Sequence, residues 1–355
     1  MIKERISGLR EYIAEEGLTA VIVSKQENIH YFSGFRGDST LLYITAGKQF
    51  LLTDSRYTEQ AAEQAPSFVV LEQKEGLFRR LNELIKAESL HGSVGFEGGS
   101  LTFNEYQQIA ADQLEKLQTV SLDKLRVIKE TEEIGYIKKA AEIADKAFDD
   151  IVKYIKPGMS ENEVAFRLET VMRSLGSERP AFTTIVASGK RGSLPHGIAT
   201  EKLIVAGEFV TMDYGAVFKG YHSDMTRTIA VGQVDEEHKR IYDAVLQAQL
   251  IGVDNVKPGV SGRSVDEKVR AYLQKHGIEQ YFTHGLGHSL GLEIHEEPRL
   301  SRLSTCEALK PGMLVTVEPG VYIPGRLGLR IEDTVLVTEV GHEILTRSSK
   351  QFIEI

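Results

Sequence analysis

Apolar residues recur along this chain at two periods, and the change from one to the other divides it. Ile2, Ile6, Leu9 and Ile13 step by three and four, which predicts an amphipathic first helix. Short apolar runs follow: AVIVS at 20–24, LLYIT at 41–45, QFLLTD at 49–54, SFVVLE at 67–72 and SVGFEG at 93–98. Each reads as a strand. The stretches 57–65, 77–88 and 104–115 read as helices between them. Alternation of this kind predicts an α/β domain over residues 1–123.

A long helical stripe comes next. Ile134, Ile137, Ala141, Ala144, Phe148, Ile151 and Ile155 step by three and four until Pro157-Gly158 breaks the pattern. This helix opens a second domain, 124–355, and that domain repeats itself. KPGMSENEVAFRLETVMRSLG (156–176) aligns without gaps on KPGVSGRSVDEKVRAYLQKHG (257–277), an offset of 257 − 156 = 101. In each copy Pro-Gly is a turn and a serine, Ser160 or Ser261, is the expected N-cap. Glu163 completes a capping box in the first copy only. VTMDYG (210–215) then matches VTVEPG (315–320), so that Asp213 falls on Glu318. A second acid follows each motif, Asp224 after 11 residues and Glu332 after 14. A duplicated α+β domain would bring both carboxylate pairs to one centre.

Composition narrows the classes. The chain has 355 residues, enough for two domains, and 41% are hydrophobic, enough for a sizeable core. A formal charge of −9 argues against a nucleic-acid partner and against an anionic membrane surface. No run approaches the length of a membrane span, and MIKERISGLREYI lacks the apolar core of a signal peptide. The single cysteine, Cys306, excludes an intramolecular disulfide and fits a cytoplasmic location.

Chemistry concentrates in five segments: MDYG, HSDMTRT, GLGHSLG, VEPGV and RIEDT. Asp213 and Glu318 each close a β-type apolar run, where a bare carboxylate is costly unless paired or metal-bound. With Asp224, His288 and Glu332 they make an oxygen-rich set without thiolates. Four carboxylates exceed the need of one divalent ion, so two ions sharing carboxylates are expected. Mn²⁺ is the first expectation, with Co²⁺, Zn²⁺ or Fe²⁺ also suited to such donors. Close pairs of metals lower the pKa of water enough for hydrolysis near neutral pH.

His196, His284 and His295 lie in LPHG and THGLGHSLGLEIHEEP. Gly285 and Gly287 disfavour a helix there, so a glycine-rich strand or turn is expected. These histidines suit proton transfer and stabilisation of a developing oxyanion. His222 stands two residues before Asp224 and is left without a role. His30, His91, His238, His276 and His342 are expected to be ordinary surface or packed histidines. Arg330 precedes Glu332 by two residues and could pair with a ligand carboxylate. Arg299 could grip a substrate carboxylate or form a surface salt bridge. A GxSxG elbow and an HExxH pair are absent, and SGKRGSLP (188–195) lacks P-loop spacing.

Taken together, DYGA, HSDMTRT, HGLGHSLGLEIHE, VEPGVY and RIEDT resemble the pita-bread metallopeptidases, in the branch of the Xaa-Pro dipeptidases (prolidases) and aminopeptidase P. The resemblance spans about 130–355, and the preceding α/β segment is similar to the N-terminal domain of that branch. It implies a creatinase/aminopeptidase-like fold, Asp213 on one metal, His288 and Glu318 on the other, and Asp224 and Glu332 shared. Glu318 would also move the proton of the attacking water. By the same resemblance His196 and His295 contact the substrate carbonyl and tetrahedral intermediate, His284 supports the HGLGH segment, and Arg330 stands beside the last ligand. The implied reaction is hydrolysis of the bond before proline. A homodimer is implied as well, with the loop NIHYFSGFRGDS (28–39) covering the neighbour's site.

Competing expectations are few. Aminopeptidase P shares every motif quoted. A metal-free hydrolase resembling creatinase, or an inactive scaffold, would have lost ligands that this chain keeps.

Overall fold

The computed structural model describes residues 1–88, 92–113 and 116–355, so His91 and the last two residues of the stretch 104–115 lie outside it. The chain divides into two compact units, Met1–Arg126 and Val127–Ile355.

In the first unit the elements run α1 (Ile2–Glu15), β1 (Leu18–Val23), α2 (Gln26–Ser33), β2 (Leu41–Thr45), β3 (Gln49–Thr53), α3 (Thr58–Gln64), β4 (Val69–Glu72), α4 (Leu77–Glu88), β5 (Ser93–Phe96), α5 (Phe103–Gln113) and β6 (Leu117–Thr119). The strands form one six-stranded sheet in the order β4-β3-β2-β1-β5-β6. Its β1–β2–β3 centre is antiparallel, and β4, β5 and β6 join in parallel. Ala20, Ile22, Tyr43, Leu52 and Phe96 of the sheet bury against Leu81, Leu84 and Ile85 of α4. Burying one such side chain contributes about 1.5–3 kcal/mol.

Two elements here were not foreseen, α2 and β6. The first corrects the reading of 28–39 as a loop. Residues 28–33 lie in α2, with Asn28, Ile29, Tyr31, Phe32 and Ser33 buried, and Gly34 ends the helix in the left-handed conformation. Only the stretch after it is loop, where Arg36, Asp38 and Ser39 are exposed.

The second unit is built twice. Its first half has α6 (Thr131–Tyr154), α7 (Glu161–Ser174), β7 (Ile185–Ser188), β8 (Glu208–Tyr214), β9 (Val217–Phe218), β10 (Tyr221–His222) and β11 (Met225–Val231). The second half has α8 (Glu236–Asn255), α9 (Gly262–Lys275), β12 (Gly287–Ser289), β13 (Glu296–Leu300), β14 (Leu314–Val317), β15 (Gly320–Ile323), β16 (Leu327–Arg330), β17 (Asp333–Val337) and β18 (His342–Ile344). Each half lays two helices on a three-stranded antiparallel sheet, β11-β8-β7 or β14-β17-β18. Ala144, Phe148, Leu168 and Met172 meet Val210, Met212 and Ile229 in the first half. Val245, Val265 and Val269 meet Val315, Val317 and Val335 in the second. Ser160 and Ser261 cap α7 and α9, and Glu163 closes the box in the first alone. Among the described residues, no helix is long and apolar enough to cross a membrane.

Period-two alternation then decides what the other face of each sheet carries. Val210, Met212, Tyr214, Met225 and Ile229 point into the helices, so Thr211, Asp213, Thr226 and Thr228 point away. Val315, Val317, Val335 and Val337 do the same in the second half, which leaves Thr316 and Thr334 on its opposite face. These polar faces are tied to each other. Glu332 N–H donates to the Thr226 carbonyl (3.1 Å), Thr228 Oγ1 to the Arg330 carbonyl (2.9 Å) and Thr334 Oγ1 to the Asp224 carbonyl (2.8 Å).

Candidate active site

Asp213 is the penultimate residue of β8, and Asp224 immediately precedes β11. Glu318 follows β14 directly, and Glu332 immediately precedes β17. All four therefore sit where a strand gives way to a turn, on the polar faces just described. Asp213, Asp224 and Glu332 each present a carboxylate oxygen within 4.8 Å of the others, and all three are buried. His288, in β12, completes the group: its Nε2 is 3.6 Å from Asp224 Oδ2 and 3.4 Å from Glu318 Oε1. Residue 287 must be glycine because a Cβ there would run into the Thr316 carbonyl of β14. Gly287 thus serves strand packing, and with Gly285 it also lines the cavity described below.

The donor set fits divalent cations on three observations. Asp213 Oδ1 and Glu332 Oε1 are buried without a hydrogen-bond partner among the described residues, although unspent buried acceptors are costly. His288 Nδ1 donates to the Ser289 carbonyl (2.9 Å), which leaves a bare lone pair on Nε2 aimed at two carboxylates. Acceptors facing acceptors need a positive charge between them. Finally, burial, followed by repulsion from Glu332, Asp213 and Glu318, pushes the Asp224 carboxyl well up. Glu332 is raised for the same reasons, and burial brings Glu318 up to about 7. A bound cation would relieve each of these penalties.

Around this group the cavity encloses about 810 Å³. Every site residue expected from the sequence lines it: Asp213, Asp224, His288, Glu318 and Glu332, then His196, His284, His295, Arg299 and Arg330. His295 stacks edge-on against His288, ring centres 4.4 Å apart, and burial lowers its pKa. His288 is held at about 3, chiefly by burial, so its imidazole is neutral. His196 is exposed on its loop, and Arg299 has a half-exposed side chain whose Nε lies 3.4 Å from Glu297. Phe182, Ile185, Leu194, Pro195 and Ile294 supply apolar lining.

Arg330 closes β16 and reaches four partners. It donates to Asp213 Oδ2 (2.5 Å), Thr226 Oγ1 (3.1 Å), the Pro195 carbonyl (3.2 Å) and Tyr322 Oη (2.6 Å). Because His284 Nδ1 donates to the Gly285 carbonyl (2.8 Å), its Nε2 is free to accept from Tyr322 Oη (3.0 Å). Arg330, Tyr322 and His284 are thus one chain of donors. Burial, with Arg330 nearby, keeps His284 at about 4 and neutral.

Sequence reasoning missed Tyr322 and Thr226. Thr226 Oγ1 donates to Glu332 Oε2 (2.6 Å). One signal was available: Thr226 and Asp224 stand two apart, hence on one strand face. His222 is resolved differently. It is buried, donates from Nδ1 to the Gly291 carbonyl (3.1 Å), and does not line the cavity. His238, His276 and His342 also lie outside the cavity lining.

Residues 135–339 match the family Metallopeptidase family M24, and residues 5–128 match the Creatinase/Prolidase N-terminal domain. The chain is 39% identical over 352 residues to an Xaa-Pro dipeptidase of Pyrococcus furiosus, covering 99% of this chain and 100% of that one. It is similar to a solved structure of an Xaa-Pro dipeptidase from Bacillus anthracis, at 41% identity, a TM-score of 0.97 and full coverage of both chains. A solved X-Pro aminopeptidase from Thermotoga maritima is also similar, at 34% identity and a TM-score of 0.90, with 99% of each chain covered.

Proposed function

The chain belongs to metallopeptidase family M24, and from that premise we propose that it hydrolyses the peptide bond preceding proline, with Xaa-Pro dipeptides as substrates. The observation that carries the reading is the buried set Asp213, Asp224 and Glu332, with its unspent acceptors and the bare His288 Nε2 beside it. Full-length similarity to proteins named Xaa-Pro dipeptidase supports the choice of substrate.

In this proposal Asp213, Asp224, His288, Glu318 and Glu332 hold two divalent ions, Mn²⁺ by preference. Such ions, when bound, supply a water nucleophile near neutral pH and polarise a carbonyl. The chain's own residues do the rest. Glu318, which accepts a hydrogen bond from Thr316 Oγ1 (3.0 Å), takes a proton from water and returns it to the departing proline nitrogen. His295 and His196 donate to the substrate carbonyl oxygen as negative charge develops there. Arg299 takes the proline carboxylate in a two-pronged contact. Apolar lining from Phe182, Ile185 and Ile294 suits the proline ring. Pairing of two chains, with Arg36 or Asp38 of one reaching its neighbour, belongs to the same proposal.

Similarity to the Thermotoga X-Pro aminopeptidase favours a second reading, in which longer peptides beginning Xaa-Pro are cleaved. Metal-stripped protein assayed on Ala-Pro, Ala-Pro-Pro and Ala-Ala, with and without added Mn²⁺, separates the two. Metal-dependent cleavage of Ala-Pro alone is expected. Preference for Ala-Pro-Pro would move the assignment to the aminopeptidase, and inactivity with every divalent metal would sink both.

A further inference from the structure

Glu161 is fully buried at the first position of α7, and none of its carboxylate's partners lies in that helix. Oε1 accepts from the Ser188 N–H (2.8 Å) and hydroxyl (2.9 Å). Oε2 accepts from the Arg191 guanidinium, the Thr200 N–H (3.2 Å) and the Thr200 hydroxyl (2.8 Å). The start of α7 is already capped by Ser160 and Glu163 bonding each other's backbone, so the helix does not need this charge.

Burying a carboxylate is costly unless its lone pairs are used. Here they are used on both legs of one loop. Ser188 closes β7, Thr200 lies on the returning leg, and Arg191 between them donates a second time to the Ile198 carbonyl (2.8 Å). Leu194, Pro195 and His196, which line the cavity, hang between these anchors.

The other half of the repeat carries the same device one turn later. Residue 161 aligns with Gly262, where a Cβ would collide with the Arg299 carbonyl and the Ser304 hydroxyl. The buried acid is instead Asp266, which accepts from Arg270 Nε (2.7 Å) and the Leu286 N–H (3.1 Å). Arg270 also donates to the carbonyls of Phe282 (3.0 Å) and His284. Each repeated helix therefore presents a buried acid that, with an arginine, grips the loop bearing a cavity histidine, although the two acids are not at equivalent positions and the arginine is on the loop in the first half (Arg191) and on the helix in the second (Arg270).

We propose that Glu161 is a positioning residue: with Arg191 it holds residues 188–200 so that His196 meets the substrate, as Asp266 and Arg270 hold His284. The inference rests on the reading of His196 as a substrate contact. Glu161→Gln tests it, because the amide NH₂ would face N–H donors. In metal-loaded protein, kcat for Ala-Pro is expected to fall about 30-fold, the scale of a small misplacement, with KM changed less than about 2-fold. In a His196→Ala background the same substitution is expected to cost less than about 2-fold. Equal losses in both backgrounds, or no loss in the first, would overturn the proposal.

Limited trypsin digestion reads the loop without an activity assay. Cleavage after Lys190 and Arg191 is expected to quicken about 10-fold in Glu161→Gln while the remaining map is unchanged; an unchanged rate counts against the clamp. Should that variant not fold, Arg191→Met, which leaves the Ser188 and Thr200 bonds in place, is expected to give the same background-dependent loss of kcat, and its absence refutes the idea. If the unsubstituted protein leaves Ala-Pro intact, the functional reading fails, while digestion still decides whether Glu161 secures the loop.

Discussion

Two layers of buried charge lie on opposite faces of the same strands in the catalytic unit, and adjacent residues belong to different layers. Glu332 faces the cavity with one carboxylate oxygen unpartnered. Asp333, next in the chain, is equally buried, but its Oδ1 accepts from Arg227 (2.8 Å) and Thr346 (2.8 Å). Its Oδ2 accepts from Gln249 (2.9 Å) and Lys350. Arg227 is equally committed, to the carbonyls of Thr226 (3.0 Å), Glu332 and Ser348 (2.9 Å). Burial by itself would raise both acids. It prevails at Glu332, whereas Arg227 and Lys350 outweigh it at Asp333 and hold that carboxyl below its usual range. Burial alone therefore does not separate these two acids; acceptor capacity left unspent separates Glu332, a proposed metal ligand, from Asp333.

Replacing one acid of each layer separates them most widely. Glu332→Gln is expected to lower metal-dependent turnover by about 10³-fold or more, yet leave the metal-free protein no less stable, because a repelled charge is gone. Asp333→Ala is expected to do the reverse. It strands Arg227 in the interior and costs about 3–5 kcal/mol of stability, measured by urea unfolding of the metal-free protein. If Glu332→Gln destabilised the metal-free protein as much as Asp333→Ala, the distinction between the layers would collapse.

Acid titration sharpens the contrast, since the layers respond with opposite sign. A carboxyl raised on folding carries a penalty that is present above its folded pKa and relieved as pH falls toward the unfolded value. For Glu318 that window runs from about 7 down to 4.5. Asp333, being depressed, keeps its contribution until pH falls below the ordinary aspartate range. Relative to Glu318→Gln, metal-free protein is expected to gain about 1–2 kcal/mol between pH 7 and 5, because a tenfold change in proton affinity is worth about 1.4 kcal/mol. The buried neutral His284 and His288 disfavour folding as the unfolded imidazoles charge over the same window, but they act equally in both proteins and cancel from the difference. Both proteins are expected to lose stability below pH 4. Metal-loaded protein should show no such relative gain. Thermal melts of both proteins across pH with and without Mn²⁺ check this, and a metal-free difference that stays constant from pH 7 to 5 would contradict it.

How much of this was legible in the sequence follows from the range of the interactions. Asp213 and Glu318 could be read because each closes an apolar β-type run, a local signal, and because the repeat pairs them; Asp224 and Glu332 followed as the second acid after each motif. The helices α7 and α9 announced themselves through Pro-Gly turns and capping serines. By contrast, α2 begins without a side-chain cap of its own. The two amides leading into it, of Ser24 (2.7 Å) and Lys25 (2.9 Å), donate to Glu97, the residue following β5. No local pattern discloses an anchor more than 70 residues away. Tyr322 was hidden similarly, since its role depends on pairing opposite Gly328, which brings it beside Arg330.

Thr226 joins the two layers and gives the smallest predicted effect. Its hydroxyl donates to Glu332 Oε2 (2.6 Å) and accepts from Arg330 Nε (3.1 Å) on the cavity side. Its carbonyl accepts from Arg227 Nη1 (3.0 Å), which belongs to the other layer. Thr226→Val keeps the branched shape and the carbonyl and removes only the hydroxyl. Stability is expected to fall by about 1 kcal/mol, a typical net hydrogen bond. Metal affinity should fall about 10-fold, as when a group that orients a ligand is lost. Thr211→Val is the matched control: its hydroxyl bonds Thr228 Oγ1 (2.9 Å) on the same face, with no bond to any of the five proposed ligands. Equal Mn²⁺ affinities for the two variants, read by calorimetry, would mean that the Thr226 hydroxyl does not orient Glu332 for metal.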